Sequence, residues 1–312
     1  MLSTIKKFLV TYNGFGVGKT FSSGDIISGM VTLEVANHCK IDYLTIKLKG
    51  KSEVLFPGGR FTNSGDLRLV RCHSKIKFLR DVLFIIQKPK GCNVVAPGKH
   101  IYSFTFRIPL KAMPTSFKGD FGKICYTLEA TLSRSRRRNR KALIEFPFIS
   151  KVNLNKNPRL MIPQRGATEK KMFFSGKVGM TVHIERQGFY LGEEIKVVAS
   201  IENRSSCVVK PKYTLYQKQS FFARGRMKES IKNILKDLGE RIPPSKRQTV
   251  TKLIKIPQNI SPSIKCRNLH CEYKLKIYLD VPYALDPEIT LPLVLLPAVQ
   301  MRGQQPPPRS LH

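Results

Sequence analysis

Phe21-Ser22-Ser23-Gly24-Asp25 returns as Phe189-Tyr190-Leu191-Gly192-Glu193, and each copy opens a β-type stretch that closes on an asparagine, Asn37 or Asn203. The echo continues downstream. Ile108-Pro109 precedes Tyr126-x-Leu128-x-Ala130-x-Leu132, and Ile256-Pro257 precedes Tyr273-x-Leu275-x-Ile277-x-Leu279. The proline-to-tyrosine gap is 17 residues in the first copy and 16 in the second. One β-domain is therefore used twice, and twin β-domains point toward binding rather than catalysis.

The strand signal around these landmarks is period-two alternation. Leu44, Ile46 and Leu48 alternate with Tyr43, Thr45, Lys47 and Lys49. Tyr126, Leu128, Ala130 and Leu132 alternate with Cys125, Thr127, Glu129 and Thr131, and the second copy repeats the pattern from Tyr273 to Asp280. One apolar and one polar face predict antiparallel sheets with one side on a core and the other in water. Turn signals at Pro57-Gly58-Gly59, Pro97-Gly98, Lys118-Gly119-Asp120 and Pro243-Pro244 cut the chain into short strands. The expected class is all-β, two immunoglobulin-like β-sandwiches in tandem. The domains are placed at 1–152 and 172–299, with a linker over 153–171 and a short disordered tail over 300–312. Arg226–Leu238 is the exception. Ile231, Ile234, Leu235 and Leu238 follow helical spacing with Gly239 as a stop, which predicts one helix.

The 312 residues carry 55 Lys+Arg against 21 Asp+Glu, a net charge of +34. Residues 1–150 hold 26 basic and 9 acidic residues and the remainder 29 and 12, so each half contributes +17. Such a field favours anionic partners: phospholipid headgroups, acidic or phosphorylated peptides, or nucleic acid. It acts over only about 8 Å at physiological salt, so it captures partners without choosing among them. No apolar run approaches the roughly 18 residues of a membrane span. Met1–Val10 has lysines in its middle and no apolar core of secretory-leader length, so a cytoplasmic protein is expected. Seven cysteines at irregular spacing fit a reducing compartment better than a disulfide framework.

Several motifs invite chemistry that their surroundings do not support. Gly14-Phe15-Gly16-Val17-Gly18-Lys19-Thr20 suggests a phosphate loop, but the glycine spacing is wrong and a strand follows where a helix is needed. It reads as a turn. His38-Cys39, Cys72-His73 and His270-Cys271 suggest metal ligands. Neighbours on a strand point to opposite faces, so each pair offers one ligand at most, and structural cysteines are the simpler reading. Leu143-Ile144-Glu145-Phe146 resembles a clathrin-box peptide, yet it continues a strand. No catalytic constellation stands out: no enzyme activity, metal or cofactor is expected. The densest basic run, Ser133-Arg134-Ser135-Arg136-Arg137-Arg138-Asn139-Arg140-Lys141, lies between two strand-like runs and reads as a hairpin tip.

Together these residues resemble the arrestin fold, and more closely the vertebrate type of the α-arrestin (arrestin domain-containing) family. In the first domain the resemblance rests on Phe21 to Gly29, Ala96 to Phe106 and Pro114 to Gly119. In the second it rests on Ile184 to Phe189, Gly192-Glu193, Asn203 to Ser206, Lys210-Pro211-Lys212, Ser261-Pro262-Ser263 and Leu291-Pro292-Leu293. It implies two seven-stranded-type sandwiches whose concave faces and loops bind partners. It also implies an adaptor that links membrane receptors or transporters to HECT-type ubiquitin ligases and their endosomal sorting. In the family, Pro-Pro-x-Tyr motifs in a long tail dock on ligase WW domains. Here Pro243-Pro244-Ser245-Lys246 and Pro306-Pro307-Pro308-Arg309 lack the tyrosine, and 13 residues follow Val299. A shortened form, or a paralogue that does not itself recruit such ligases, is expected. Another branch binds thioredoxin through a second-domain cysteine. The similar stretch here, about 239–249, has none, so that activity is not expected.

The expectation is a non-enzymatic scaffold that binds membrane-protein cargo in endocytic or endosomal trafficking, peripheral to the plasma membrane and endosomes, with an indirect link to ubiquitination. Lys6, Lys7, Arg134, Arg136, Arg137, Arg138 and Arg140 are the candidate contacts for acidic tails or an anionic membrane surface. The alternative is a charge-driven protein binding nucleic acid or anionic lipid. Nucleic acid is not expected as a partner, because the basic run has no neighbouring aromatics on which bases could stack. A steep fall of nucleic-acid affinity with salt, read by filter binding, is what that alternative requires.

Overall fold

Alternation becomes burial in the strands that carry it. The computed structural model describes residues 4–15, 19–61, 66–87, 93–134, 137–152, 154–172, 176–282 and 285–298. The chain divides into two compact units. The first is Met1–Lys151 with Gln217–Lys232 and Ile264–Glu272; the second is Val152–Tyr216 with Asn233–Ser263 and Tyr273–His312. Residues 16–18 of the glycine-rich turn, Cys92, Arg136 and the tail expected to be disordered lie outside the described residues.

The N-terminal half comprises β1 (Ile5–Tyr12), β2 (Ile26–Val35), β3 (Cys39–Ile41), β4 (Tyr43–Phe61), β5 (Leu67–Ile86), β6 (Asn93–Val95), β7 (Gly98–Arg107), β8 (Phe117–Lys118), β9 (Gly122–Arg134) and β10 (Arg137–Phe146). A three-stranded sheet β1-β2-β7 faces a sheet of order β10-β9-β4-β5, with β8 on β9, and β3 pairs with β6. Leu44, Ile46, Leu48, Tyr126, Leu128, Ala130 and Leu132 are fully buried between them, as the alternation predicts. The polar face of β9 departs from expectation. Cys125, Thr127 and Thr131 are buried as well, on an inner strand flanked on both sides by β4 and β10.

Two short 3-10 turns, Leu154–Lys156 and Pro158–Met161, lead into the second half. Its strands are β11 (Gln164–Met172), β12 (Gly176–Ile184), β13 (Gly188–Tyr190), β14 (Glu194–Ser205), β15 (Lys210–Ala223), β16 (Arg226–Leu238), β17 (Lys246–Lys255), β18 (Ile264–Cys266), β19 (Leu269–Asp280) and β20 (Glu288–Leu296). They form a sheet of order β11-β12-β14-β17 and a second of order β13-β20-β19-β15-β16, with β18 on β19.

Two sequence expectations need correction here. The stretch Arg226–Leu238 is not a helix but the edge strand β16. Arg224 and Gly225 both take positive φ (54° and 71°), the geometry of a two-residue hairpin turn that sends the chain back beside β15. The apolar residues at helical spacing do not share a buried face: Ile231 is 64% and Leu238 51% exposed. Part of the span read as a linker, Gln164 onward, is strand β11, paired residue for residue with β12. It was illegible because none of its described side chains is fully buried, so it carries no apolar alternation.

The repeat seen in sequence reappears atom by atom. The Tyr126 hydroxyl donates to the Pro114 carbonyl at 2.6 Å, and the Tyr273 hydroxyl donates to the Ser261 carbonyl, twelve residues back in both cases. The Phe148 N–H donates to Ser116 Oγ, and the Leu295 N–H to Ser263 Oγ, each at 2.9 Å. Phe21 bridges Phe148 in parallel, as Phe189 bridges Leu295. Gly24 and Gly192 take φ of 86° and 92°, and the carboxylates of Asp25 and Glu193 accept the N–H of Ser22 and Tyr190 across those turns. Glycine is needed there because L side chains rarely adopt that conformation. Burial pushes the Tyr126 phenol far above its ordinary pKa, so it stays a donor. Tyr126→Phe and Tyr273→Phe are each expected to cost about 1–2 kcal/mol, read by urea denaturation, by leaving a part-buried carbonyl unpaired.

Candidate anion-contact site

The end of the N-terminal sandwich that carries the β2–β3 connection gathers several cationic side chains, with Glu34 and Asp42 at the same end. β9 and β10 are antiparallel, and their register sets Arg137 opposite Arg134. One extra residue on β10 between Arg137 and Arg140 makes a bulge, which bends the strand and re-aims its side chains. Arg137, Arg138 and Arg140 are exposed, and Arg134 is half-buried with an Nε that has no hydrogen-bond partner. Like charges directly opposite across a ladder repel.

Lys6 and Lys7 are both exposed although they are adjacent on a strand. Strict alternation would bury one of them. A register shift between Ile5 and Lys7 supplies the extra residue that puts both toward water. β1 is an edge strand, and Lys7 stands opposite Glu34 in register. The Ala36 N–H donates to the Thr4 carbonyl, and the Asp42 N–H to the Ser133 carbonyl, each at 2.9 Å. These bonds tie the start of β1 and the end of β9 to the two sides of β3. At the far end Tyr12 of β1 meets Phe146 of β10 with ring centroids 6.3 Å apart. The fold thus brings Lys6 and Lys7 to the same end as Arg134, Arg137, Arg138 and Arg140. The fifth tip arginine, Arg136, lies outside the described residues.

Among the described residues no carboxylate lies within ion-pair distance of Lys6, Lys7, Arg134, Arg137 or Arg138. Such a set can hold an anion; it offers no nucleophile or general base. The histidine–cysteine pairs separate as strand geometry requires: Cys39, Cys72 and Cys271 are buried while His38 and His73 are exposed. Among the described residues no group of three or more His, Cys, Asp or Glu is placed to hold a metal. The six described cysteines are free thiols. The glycine-rich stretch turns at 13–15 and leads through Phe21 into strand β2, not a helix. Asn203, marked in the sequence by the end of a repeat and by the family resemblance, is a fully buried hub whose role the sequence does not show.

Comparison with known proteins agrees with this architecture. The family model described as arrestin (or S-antigen), N-terminal domain, matches residues 15–155, and the C-terminal domain model of the same family matches 175–298. The chain is similar to arrestin domain-containing protein 4 of Mus musculus, 32% identical over 286 residues, 88% of this chain and 68% of that protein. It is similar to the Homo sapiens protein of the same name at 30% over 284 residues, again 88% and 68%. It also resembles the thioredoxin-interacting protein of Rattus norvegicus, 31% identical over 306 residues, 95% of this chain and 75% of that protein.

Proposed function

Because the chain belongs to the arrestin family, in its α-arrestin branch, we propose that it is a non-enzymatic scaffold that binds membrane-protein cargo during endocytic or endosomal sorting. The observation that carries this reading is the gathering of Lys6, Lys7, Arg134, Arg137 and Arg138 at one end of the N-terminal sandwich, with no carboxylate at ion-pair distance among the described residues. Acidic cytoplasmic tails and anionic headgroups are the partners of matching charge. Each exposed ion pair contributes roughly 0–1 kcal/mol, so the tip arginines and the β1 lysines act as a set. The indirect link to ubiquitination belongs to the same proposal; the 312 residues themselves hold no Pro-Pro-x-Tyr motif that would carry it.

The test is liposome flotation with vesicles containing anionic lipid. Reversing Arg134, Arg136, Arg137, Arg138 and Arg140 to glutamate is expected to lower vesicle capture at least tenfold, since each basic residue near such a surface contributes about 1 kcal/mol. Arg134 is half-buried, so a second variant reverses only the exposed Arg137 and Arg138 and is expected to lose a smaller share. Undiminished capture by both variants, with far-UV circular dichroism unchanged, rejects the assignment.

A further inference from the structure

A second charged surface lies away from the tip, on the outer face of the β10-β9-β4-β5 sheet. It is a hollow of about 510 Å³, within the size range of small-molecule sites. Seven cationic side chains line it against two carboxylates. Its curvature has a local cause. Between the pairs Gly50–Leu79 and Lys51–Lys77 the register skips Phe78, and the extra residue bends β5. Gly50 permits the close approach, since a Cβ there would lie 2.6 Å from the Phe78 ring and 2.9 Å from Leu79 Cβ.

The register then sets like charges face to face. Lys49 stands opposite Arg80, and Lys51 opposite Lys77. Directly opposed like charges destabilise a sheet. Internal pairing relieves only part of this. Lys49 bonds Glu129 and Lys51 bonds Glu53, both at 2.6 Å. The Lys51–Glu53 hydrogen bond raises the lysine pKa and lowers that of the carboxylate, so both are charged at neutral pH. Lys47, Lys75, Lys77, Arg80 and Lys123 have no ion-pair partner among the described residues. Alternate residues along a strand lie roughly 7 Å apart and neighbouring strands about 5 Å, so one multivalent anion can reach several of these cations at once.

From this juxtaposition we propose that the hollow binds a compact ligand carrying several phosphate groups, held by Lys75, Lys77 and Arg80 of β5 with Lys47 and Lys123 beside them. The inference is independent of the cargo reading and of the arginine tip. Glu129 and Glu145 line the opposite flank, so the ligand sits toward β4 and β5. Anion binding also removes the repulsion between the opposed pairs, so the ligand stabilises the fold by more than its contacts alone.

The experiment is isothermal titration with inorganic tripolyphosphate in physiological salt, together with vesicles bearing phosphorylated inositol headgroups. Wild type is expected to bind tripolyphosphate and to gain thermal stability from it beyond that given by sodium chloride at equal ionic strength. The combined Lys75→Ala, Lys77→Ala and Arg80→Ala variant is expected to bind at least tenfold more weakly. Its ligand-free melting temperature should be equal to or above wild type, since one side of each like-charge pair is gone. The five-arginine tip variant should keep tripolyphosphate binding. Vesicle capture that depends on the three β5 residues assigns a lipid headgroup; tripolyphosphate binding without capture assigns a soluble ligand. Unchanged affinity in the triple variant, binding lost only in the tip variant, or equal binding of an unphosphorylated hexaglutamate peptide overturns the proposal.

Discussion

Replacing Asn203 by aspartate is expected to destabilise the chain by on the order of 4 kcal/mol at neutral pH, more than any exposed substitution could. Asn203 is fully buried at the end of β14. Its Nδ2 shares its two protons among the carbonyls of Cys207, Ile242 and Pro243 at 2.8, 3.1 and 2.9 Å. Its Oδ1 accepts from the N–H and hydroxyl of Ser205 at 3.2 and 2.6 Å. A carboxylate at this position would face three carbonyl oxygens with no proton to offer. Asn203→Ala lacks the charge and is expected to cost only about 1–3 kcal/mol.

The two substitutions separate by pH. Burial and the surrounding carbonyl dipoles raise the introduced carboxyl above its unfolded pKa of about 3.9. The folded variant then holds its proton more tightly than the unfolded chain, so its stability falls as pH rises from about 4 toward the raised value. Urea midpoints relative to wild type should therefore diverge between about pH 4.5 and 7.5 for Asn203→Asp and stay parallel for Asn203→Ala. A deficit of equal size at both pH values would show that lost packing, not the buried charge, is responsible.

The second large effect lies at the repeated phenylalanine. Phe21→Ala and Phe189→Ala are each expected to cost about 3–5 kcal/mol. Phe21 packs edge-on against Tyr12 and Phe146, at 5.7 and 5.5 Å between ring centroids, and both phenylalanines are essentially inaccessible to solvent. Each also pins a turn whose glycine has positive φ, so the cavity would loosen the entry to β2 or β14. Phe→Leu at either position keeps most of the volume and should cost less than about 1.5 kcal/mol. Denaturation midpoints of the four variants check the ordering, and near-equal losses for alanine and leucine would refute the packing argument.

Which landmarks were legible follows from how local their signals are. Leu44-x-Ile46-x-Leu48 and Tyr126-x-Leu128-x-Ala130 announce strands because each has one wholly buried face, and burial leaves a period of two in the residues themselves. The arginine tip was visible as a basic run between two such strands. β16 carries a misleading helical spacing because it is an edge strand whose apolar residues are partly exposed, and its local strand signal is the short Arg224-Gly225 turn. β11 left no pattern for the same reason. The sequence marks Asn203 as a boundary and as part of the family resemblance but not as a hub, since its partners Ile242 and Pro243 lie some 40 residues away.

Read alone, the residues established the twin sandwiches, the core rows, the family resemblance and the excess of positive charge, because hydrophobic alternation and turn residues act over a few positions. Tertiary structure decided which charges became neighbours. Lys49 meets Arg80, and Lys51 meets Lys77, only through the β4–β5 register and its bulge at Phe78. Lys6 and Lys7 share an end with the arginine tip only through bonds between strands distant in sequence. Alternation tells a side chain which face to take, but its partner across the sheet depends on register, and a single inserted residue changes every pairing beyond it.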